Sequence, residues 1–484
     1  MNKRVVLHIL SRILFLESIL LLLPAAVSLY YKEFNNVKVF VIIALIATLI
    51  SIPFIVFKPK NDKVNSREGM AIAALSWIII SIFGALPFYF SGEIPHFCDA
   101  FFESVSGFTT TGSSILTDVE AMSHGMIFWR SFTHWVGGMG VLVLTIAILP
   151  SDNNSSSLHL MRGECPGPEV GKLVPKGKSS ALILYLIYTA LTVIMIPLLV
   201  VGKMPLFDSV CHALGTAGTG GFGIKNTSVA YYNSAYIDGV ISVFMILFGV
   251  NFNLYYFILA KRFSSVWRNS ELKAYIGILL ASMTAITVNI YNIYGSIGKS
   301  IRYSVFQVSS VMTSTGYSTT DFDKWPEFSK MILLILMFIG ACAGSTGGGF
   351  KVSRVLIAFK SAKKSLNKIL HPKSVNLIKS DDKALDIETV HGVHSYLIIY
   401  LALIVGSLLL ISLNNFDFST TFSSVVTCIN NIGPGFTKVG PACNFSEFSD
   451  FSKYILSLDM LLGRLECIPL LLILSPALWK KKFY

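Results

Sequence analysis

The run Thr313-Ser314-Thr315-Gly316-Tyr317-Ser318 ends an apolar segment with a hydroxyl, a small residue, a glycine, an aromatic and another small residue. Such a string offers backbone oxygen: carbonyls that can replace the water shell of a cation. A glycine at the narrow point lets the chain hold unusual φ/ψ angles with no Cβ in the way. Residue type then matters through backbone freedom rather than side-chain chemistry. Three further strings share the pattern: Thr110-Thr111-Gly112-Ser113-Ser114, Thr219-Gly220-Gly221-Phe222-Gly223 and Asn431-Ile432-Gly433-Pro434-Gly435. Gly112, Gly221, Gly316 and Gly433 are spaced 109, 95 and 117 residues apart. Twelve residues before them lie Ala100, Ser209, Ser304 and Thr421, and six before lie Ser106, Gly215, Ser310 and Thr427, all small. Near-regular spacing with matching upstream residues points to an internal repeat.

Thr111, Gly112, Gly220, Gly221, Thr315, Gly316, Ile432 and Gly433 are the expected carbonyl donors. Thr110, Thr219 and Ser314 add a hydroxyl on the inner side, where Asn431 offers an amide. Short apolar runs lead into the loops: Cys98–Thr109, Phe207–Gly218, Ile301–Met312 and Phe418–Asn430. A bilayer crossing takes about 20 residues, so these runs suit re-entrant helices. Their C-termini, each carrying about half a negative charge, would favour a cation. The four loops differ in sequence, so true fourfold symmetry is excluded and one chain must close one pore.

The elements that position the loops follow from composition. The chain has 484 residues, 53% hydrophobic and 14% charged, against about 25% charged in soluble domains. This predicts a multi-pass membrane protein. The net charge of +12 would suit nucleic acid, but the basic residues cluster between apolar runs, which argues against that partner. Seven cysteines show no CxxC spacing, so neither a disulfide framework nor a zinc site is expected. The first apolar run leads straight into further spans and reads as a retained helix, not a cleaved signal.

The expected fold is all-α, with ten transmembrane helices. Residues 1–68 form an N-terminal hairpin, with spans at about 5–30 and 37–57. Four helix–pore-loop–helix units follow: 69–178, 179–270, 271–385 and 386–484. Their entry spans lie at about 70–90, 181–201, 274–294 and 394–412. Exit spans lie at about 126–149, 237–260, 328–358 and 454–478. Non-helical backbone at membrane depth is tolerated where it lines a cavity or is buried in protein. Lys3, Arg4, the 58–67 cluster, Lys261, Arg262, Arg268, Lys273, the 351–383 cluster and Lys480–Lys482 fall on one face of this topology. The positive-inside rule makes that face, and both termini, cytoplasmic. Asp118, Glu120, Asp321, Asp323, Glu327, Asp417 and Asp450 fall outside, either as a solvated rim or as a cation-concentrating vestibule.

Two further features stand out. Gly344-Ser345-Thr346-Gly347-Gly348-Gly349 interrupts the third exit span, and each glycine costs about 1 kcal/mol in a helix interior. A break is expected there, with close GxxxG helix packing as the alternative. Arg464 lies inside the last span, where a charge needs a partner. Glu466 would point elsewhere on a helix, so carbonyls of the glycine run are the expected partner. Lys351 is either a second barrier cation or the end of its span. His134 and Trp135 are expected to serve interface packing, and Asp99 and Asp208 to N-cap the dipping helices.

With these loops, Gly344–Gly349 with Lys351, His134-Trp135-Val136-Gly137-Gly138-Met139-Gly140 and Gly463-Arg464, the whole chain resembles the Trk/Ktr/HKT superfamily of potassium transporters, most closely its TrkH type. The resemblance implies potassium (K+) uptake across the bacterial cytoplasmic membrane, without enzymatic activity. It implies a homodimer with one pore per protomer, and a gate at Gly344–Gly349. It also implies a cytoplasmic TrkA-like ring that binds NAD(H) or ATP/ADP, so the nucleotide sits on the partner. Sodium-permeable relatives carry serine where this chain has Gly112. The fourth loop departs most from the hydroxyl pattern. Two other classes fit poorly: inverted-repeat carriers would alternate orientation between halves, and a membrane enzyme needs an acid or histidine cluster that the sequence lacks.

Overall fold

The structure is a computed structural model that describes residues 2–57, 59, 64–140, 177–372, 377–381 and 383–479. The link 151–176 and Lys480–Lys482 lie outside the described residues. The regular structure of the described residues is helical apart from a two-residue strand pair, Lys379–Ser380 with Lys383–Ala384.

The leading hairpin is α1 (Lys3–Leu20), α2 (Leu22–Tyr30) and α3 (Phe34–Val56). Leu21 between α1 and α2 keeps helical geometry (φ −63°, ψ −18°), so Lys3–Tyr30 runs as one 28-residue span, as expected. Helix α3 is apolar all round and leaves Ile42, Leu45, Leu49 and Ile50 exposed, as a lipid-facing helix does. The long entry helices are α4 (Ser66–Phe90), α7 (Gly177–Val201), α12 (Ser270–Tyr294) and α16 (Ile387–Ile411). The short helices are α5 (Phe97–Phe108), α8 (Leu206–Gly218), α13 (Ile297–Met312) and α17 (Phe418–Ile429). Each short helix is followed by one of the glycine loops.

The exit segments differ from expectation, because none of them is one straight helix. Helix α6 (His124–Gly138) ends at a glycine pair, and Gly140 follows at φ 86°. Helix α9 (Ala235–Phe248) stops before Gly249, and α10 (Phe252–Leu259) leaves it at 90°. Twelve residues separate α14 (Glu327–Ile339) from α15 (Val352–Leu370). Helix α18 (Asp450–Arg464) gives way to α19 (Ile468–Leu474) through Glu466 and Cys467 at φ 53° and 65°. Two short surface helices, α11 (Phe263–Arg268) and α20 (Pro476–Trp479), complete the set.

Six described helices are long and apolar enough to cross a membrane, and the bent α9–α10 pair is a seventh candidate. Residues 141–149 of the first expected exit span lie outside the described residues, and breaks shorten the third and fourth exits below a continuous span. Each short helix packs on the exit helix before it: α8 on α6, α13 on α9 and α17 on α14. Helix α5 packs on α18 and closes the circle. Asp99 and Asp208 are not N-caps. His96 and Pro205 hold those positions, and the acids sit one turn in, bonded to Lys453 Nζ and Tyr232 Oη. Among the four short helices, only α17 carries a capping acid, Asp417, which accepts from Thr420 N at 3.0 Å.

Candidate functional site: four glycine loops and the segment beneath them

Each short helix ends in the same hydrogen-bonded turn. The residue before the glycine donates its N–H to the carbonyl six places before that glycine. The pairs are Thr111 to Ser106 (2.9 Å), Gly220 to Gly215 (2.9 Å), Thr315 to Ser310 (2.8 Å) and Ile432 to Thr427 (2.9 Å). The preceding N–H groups, of Thr110, Thr219, Ser314 and Asn431, bond to Gly107, Thr216, Val311 and Cys428. This paired closure is the Schellman motif, whose left-handed residue is usually glycine. Here the left-handed residues are Thr110 (φ 57°), Thr219 (54°), Ser314 (56°) and Asn431 (54°). An L-residue pays roughly 1–2 kcal/mol for that conformation. Two residues on, Gly112 (82°), Gly221 (77°), Gly316 (86°) and Gly433 (95°) are left-handed again.

The four loops meet in a ring. A methyl group on Gly112 would overlap the carbonyl oxygen of Gly220, on Gly221 that of Thr315, and on Gly316 that of Ile432. On Gly433 it would lie 2.9 Å from the carbonyl oxygen of Thr111. All eight expected carbonyl donors thus come together, in the order of the chain. The glycines also line an outward cavity of about 140 Å³.

One layer inward, Thr110, Thr219, Ser314 and Asn431 are buried. Asn431 does more than replace a hydroxyl. Its Nδ2 donates to Thr111 Oγ1 and to the carbonyl of Met460, both at 2.9 Å, tying the fourth loop to the first.

Behind the first loop lies a buried ion pair that sequence reasoning missed. Arg130 Nη2 and Glu103 Oε1 are 2.7 Å apart. Glu103 also accepts from Ser114 Oγ and from Ile115 N at 3.0 Å. Arg130 donates to the carbonyl of Gly223 at 3.1 Å and stacks 4.0 Å from the Phe222 ring centroid. The available signal was charge at membrane depth, one in a dipping helix and one in an exit helix. His134 likewise does more than pack. Its Nε2 accepts from Phe222 N at 3.2 Å, so Nδ1 carries the proton donated to the Gly107 carbonyl at 2.7 Å. The imidazole joins the first short helix to the second loop.

The segment 340–351 crosses beneath the ring without helical structure, as expected for its glycines. A methyl group on Gly347 would lie 2.9 Å from the Thr313 carbonyl, and on Gly348 3.1 Å from Asn431 Cβ. The segment therefore runs against the inner ends of the third and fourth loops. Gly344 (φ 68°), Gly349 (81°) and Lys351 (80°) carry the turns. Ser345 Oγ folds back onto the Cys342 carbonyl. Arg464 Nη1 donates to the Thr346 carbonyl at 2.9 Å and to Thr110 Oγ1 at 3.4 Å. Its Nη2 donates to the carbonyls of Gly137 and Gly138. The guanidinium thus joins the crossing segment, the inner layer and the broken end of α6. Lys351 Nζ is buried and turns inward onto the Gly347 carbonyl, so it belongs to the crossing segment. Glu466 pairs with Arg354 instead, beside the Tyr396 ring.

Most of the outer acids have partners in local structure. Asp118 accepts from Asn226, Glu120 pairs with Lys225, Asp321 with Lys324 and Glu327 with Lys330. Asp323 accepts from Thr437 N. The side chain of Asn226 holds the Asp118 carboxyl below the usual range. These contacts favour the solvated-rim reading. Among the described residues, no group of three His, Cys, Asp or Glu side chains could hold a metal.

Residues 34–481 match the TrkH family model, described as cation transport protein. The chain belongs to the TrkH family. It is 36% identical over 490 residues to the Trk system potassium uptake protein TrkH of Salmonella typhimurium, covering 99% of this chain and 100% of that one. The TrkG protein of Escherichia coli K12 is 32% identical, with 99% of each chain covered. Among solved structures, the crystal structure of the potassium transporter TrkH from Vibrio parahaemolyticus superposes with a TM-score of 0.89 at 31% identity, covering 99% of this chain and 100% of that one. As a TrkH-family member, the chain is a membrane cation transporter and not an enzyme.

Proposed function

We propose that this chain takes up potassium through one pore, whose selectivity filter is the ring of four glycine loops. The observation that carries the reading is the positive φ at both ends of Thr110–Gly112, Thr219–Gly221, Ser314–Gly316 and Asn431–Gly433, with none at the residue between. Such alternation turns successive carbonyls to one side, as a ring that replaces an ion's hydration shell requires. Thr111, Gly112, Gly220, Gly221, Thr315, Gly316, Ile432 and Gly433 supply backbone oxygen. Thr110, Thr219, Ser314 and Asn431 form the inner layer. The C-terminal ends of the four short helices add partial negative charge where the cation would lose water.

In this reading Gly344–Gly349, Lys351 and Arg464 form the gate. The segment blocks the inner mouth, and the Arg464 cation raises the barrier to an inward-moving potassium ion. Ten membrane passes then count each broken exit as one crossing, divided at 68, 178, 270 and 385, with both termini cytoplasmic. The protein works as a homodimer in the bacterial cytoplasmic membrane. A TrkA-like cytoplasmic ring, itself binding NAD(H) or ATP/ADP, docks on the basic segment 354–383 and the link 151–178 and biases the gate.

The test is rubidium uptake into liposomes containing the purified chain, with and without a sodium or proton gradient. Uptake above protein-free liposomes, competed by potassium over sodium, is expected. Its absence under every gradient overturns the reading.

A further inference from the structure

The crossing segment is gripped on its outer flank by one carboxylate. Glu271, in the first turn of α12, is 7% exposed. Its Oε1 accepts from Ala343 N at 2.7 Å and from Ser353 N at 3.1 Å. These two donors stand at opposite ends of the crossing, and the whole Gly344–Gly349 run lies between them. One oxygen therefore holds both ends of the loop together. The opposite flank meets the Arg464 cation, so the loop is held between an anion and a cation. Bonds to ionised acceptors are about twice as strong as neutral ones. Swinging the loop away from the ring means giving up at least one of them in a buried site.

The same helix start is held from its other side. Asp381, at the turn between the two short strands, accepts from Ser270 N at 2.7 Å, Ser270 Oγ at 2.8 Å and Asn269 Nδ2 at 2.9 Å. Lys360 Nζ, on α15, donates to the Lys379 carbonyl at 2.8 Å. The strand pair is thereby tied both to α15 and to the first turn of α12, one residue from Glu271.

We propose that Glu271 is a positioning residue for ion passage, a clasp that holds the 340–351 segment under the pore, and that Asp381 transmits displacement of the 379–384 hairpin to that clasp. This rests on the reading of the segment as the gate. A partner that moves the hairpin would loosen the loop by disturbing the start of α12, without touching the loop itself.

Two measurements test it in full-length protein: basal rubidium uptake into liposomes, and labelling of Ser345→Cys by a bulky thiol reagent in a Cys165→Ser, Cys342→Ser, Cys443→Ser background. Glu271→Ala should raise basal uptake about tenfold, the scale set by losing a bond to a charged group, and should speed labelling. Glu271→Gln keeps a carbonyl acceptor and should fall between. Asp381→Asn, outside the membrane-depth region, should raise both readouts less than Glu271→Ala. The double variant should not exceed Glu271→Ala alone. Labelling and uptake at wild-type levels in Glu271→Gln and Glu271→Ala at matched incorporation overturn the clasp. Fully additive effects of the two sites overturn the coupling. A wild type that carries no rubidium refutes the transport reading instead, and labelling still decides the clasp.

Discussion

Glu103 and Arg130 meet at 2.7 Å behind the first glycine loop, with side chains 0% and 2% exposed. Arg130 also lines the outward cavity beside the ring glycines, and the pair fixes the first two loops through Ser114 and Ile115 on one side and Gly223 on the other. Removing one member of a buried pair strands the other charge, at a cost of about 3–5 kcal/mol. Glu103→Ala should therefore destabilise the protein by that amount in thermal or denaturant unfolding in detergent. Glu103→Leu with Arg130→Met should cost clearly less. Equal losses in the single and double variants would show that the charge itself is unimportant.

Selectivity should depend on the ring glycines. A side chain on Gly316 meets the Ile432 carbonyl and lies 3.0 Å from Pro434 Cδ, at a φ of 86°. Strain of this kind costs on the order of 1–3 kcal/mol, so Gly316→Ser should lower potassium-over-sodium discrimination about tenfold. Ser318→Ala leaves the ring carbonyls alone and should stay within about twofold, as substitutions away from special features do. Equal permeability ratios in the two variants would refute a glycine-dependent filter.

The proposed gate makes a claim about non-additivity. Arg464→Ala removes the donor to Thr346 and to the end of α6, and should raise basal rubidium uptake. Deleting residues from Gly344–Gly349 should do the same. Because both act on one closed arrangement, the double variant should show less than the combined effect. Uptake at or below wild type in both single variants at matched incorporation rules the gate out.

The basic helix α15 offers a test of the partner. Lys363, Lys364 and Lys368 lie on it beyond the hairpin contact of Lys360. Replacing all four with glutamine should abolish co-purification of a TrkA-like ring. Retained co-purification, with weaker binding to anionic vesicles, would assign the patch to lipid headgroups.

The ring was legible in sequence because its signal is glycine, and glycine at a tight carbonyl approach is hard to replace. The four short helices before the loops were legible from the length of their apolar runs. The inner layer was only half visible. Thr110, Thr219 and Ser314 are conspicuous as hydroxyls, yet nothing marks a β-branched threonine as left-handed. Only the Schellman closure, with its bonds to Ser106, Gly215, Ser310 and Thr427, fixes that. A backbone carbonyl does not select a small side chain, but packing does at Gly215, where a methyl group would overlap Tyr317 Oη. Exit-helix breaks were foreseen only at Gly344–Gly349, where glycines cluster. At Glu466 and Cys467 the left-handed turn falls on ordinary residues, and the Arg354 contact that accompanies it joins positions 112 apart. The roles of His134 and Glu103 depend on which helices pack together, which periodicity does not encode.

The tie between Asn431 and Thr111 spans 320 positions. It bears on how the protein is made. A ring assembled from separate subunits closes at a rate set by their concentration. Here the final seam joins the first loop synthesised to the last, so closure is intramolecular and independent of expression level. Until the fourth loop is delivered, the carbonyl of Thr111 lacks its neighbour and the ring stands open along one side. A chain terminated before residue 431 has no means of closing that side. Premature termination should therefore yield inactive protein, and not a leaky pore that would discharge the membrane.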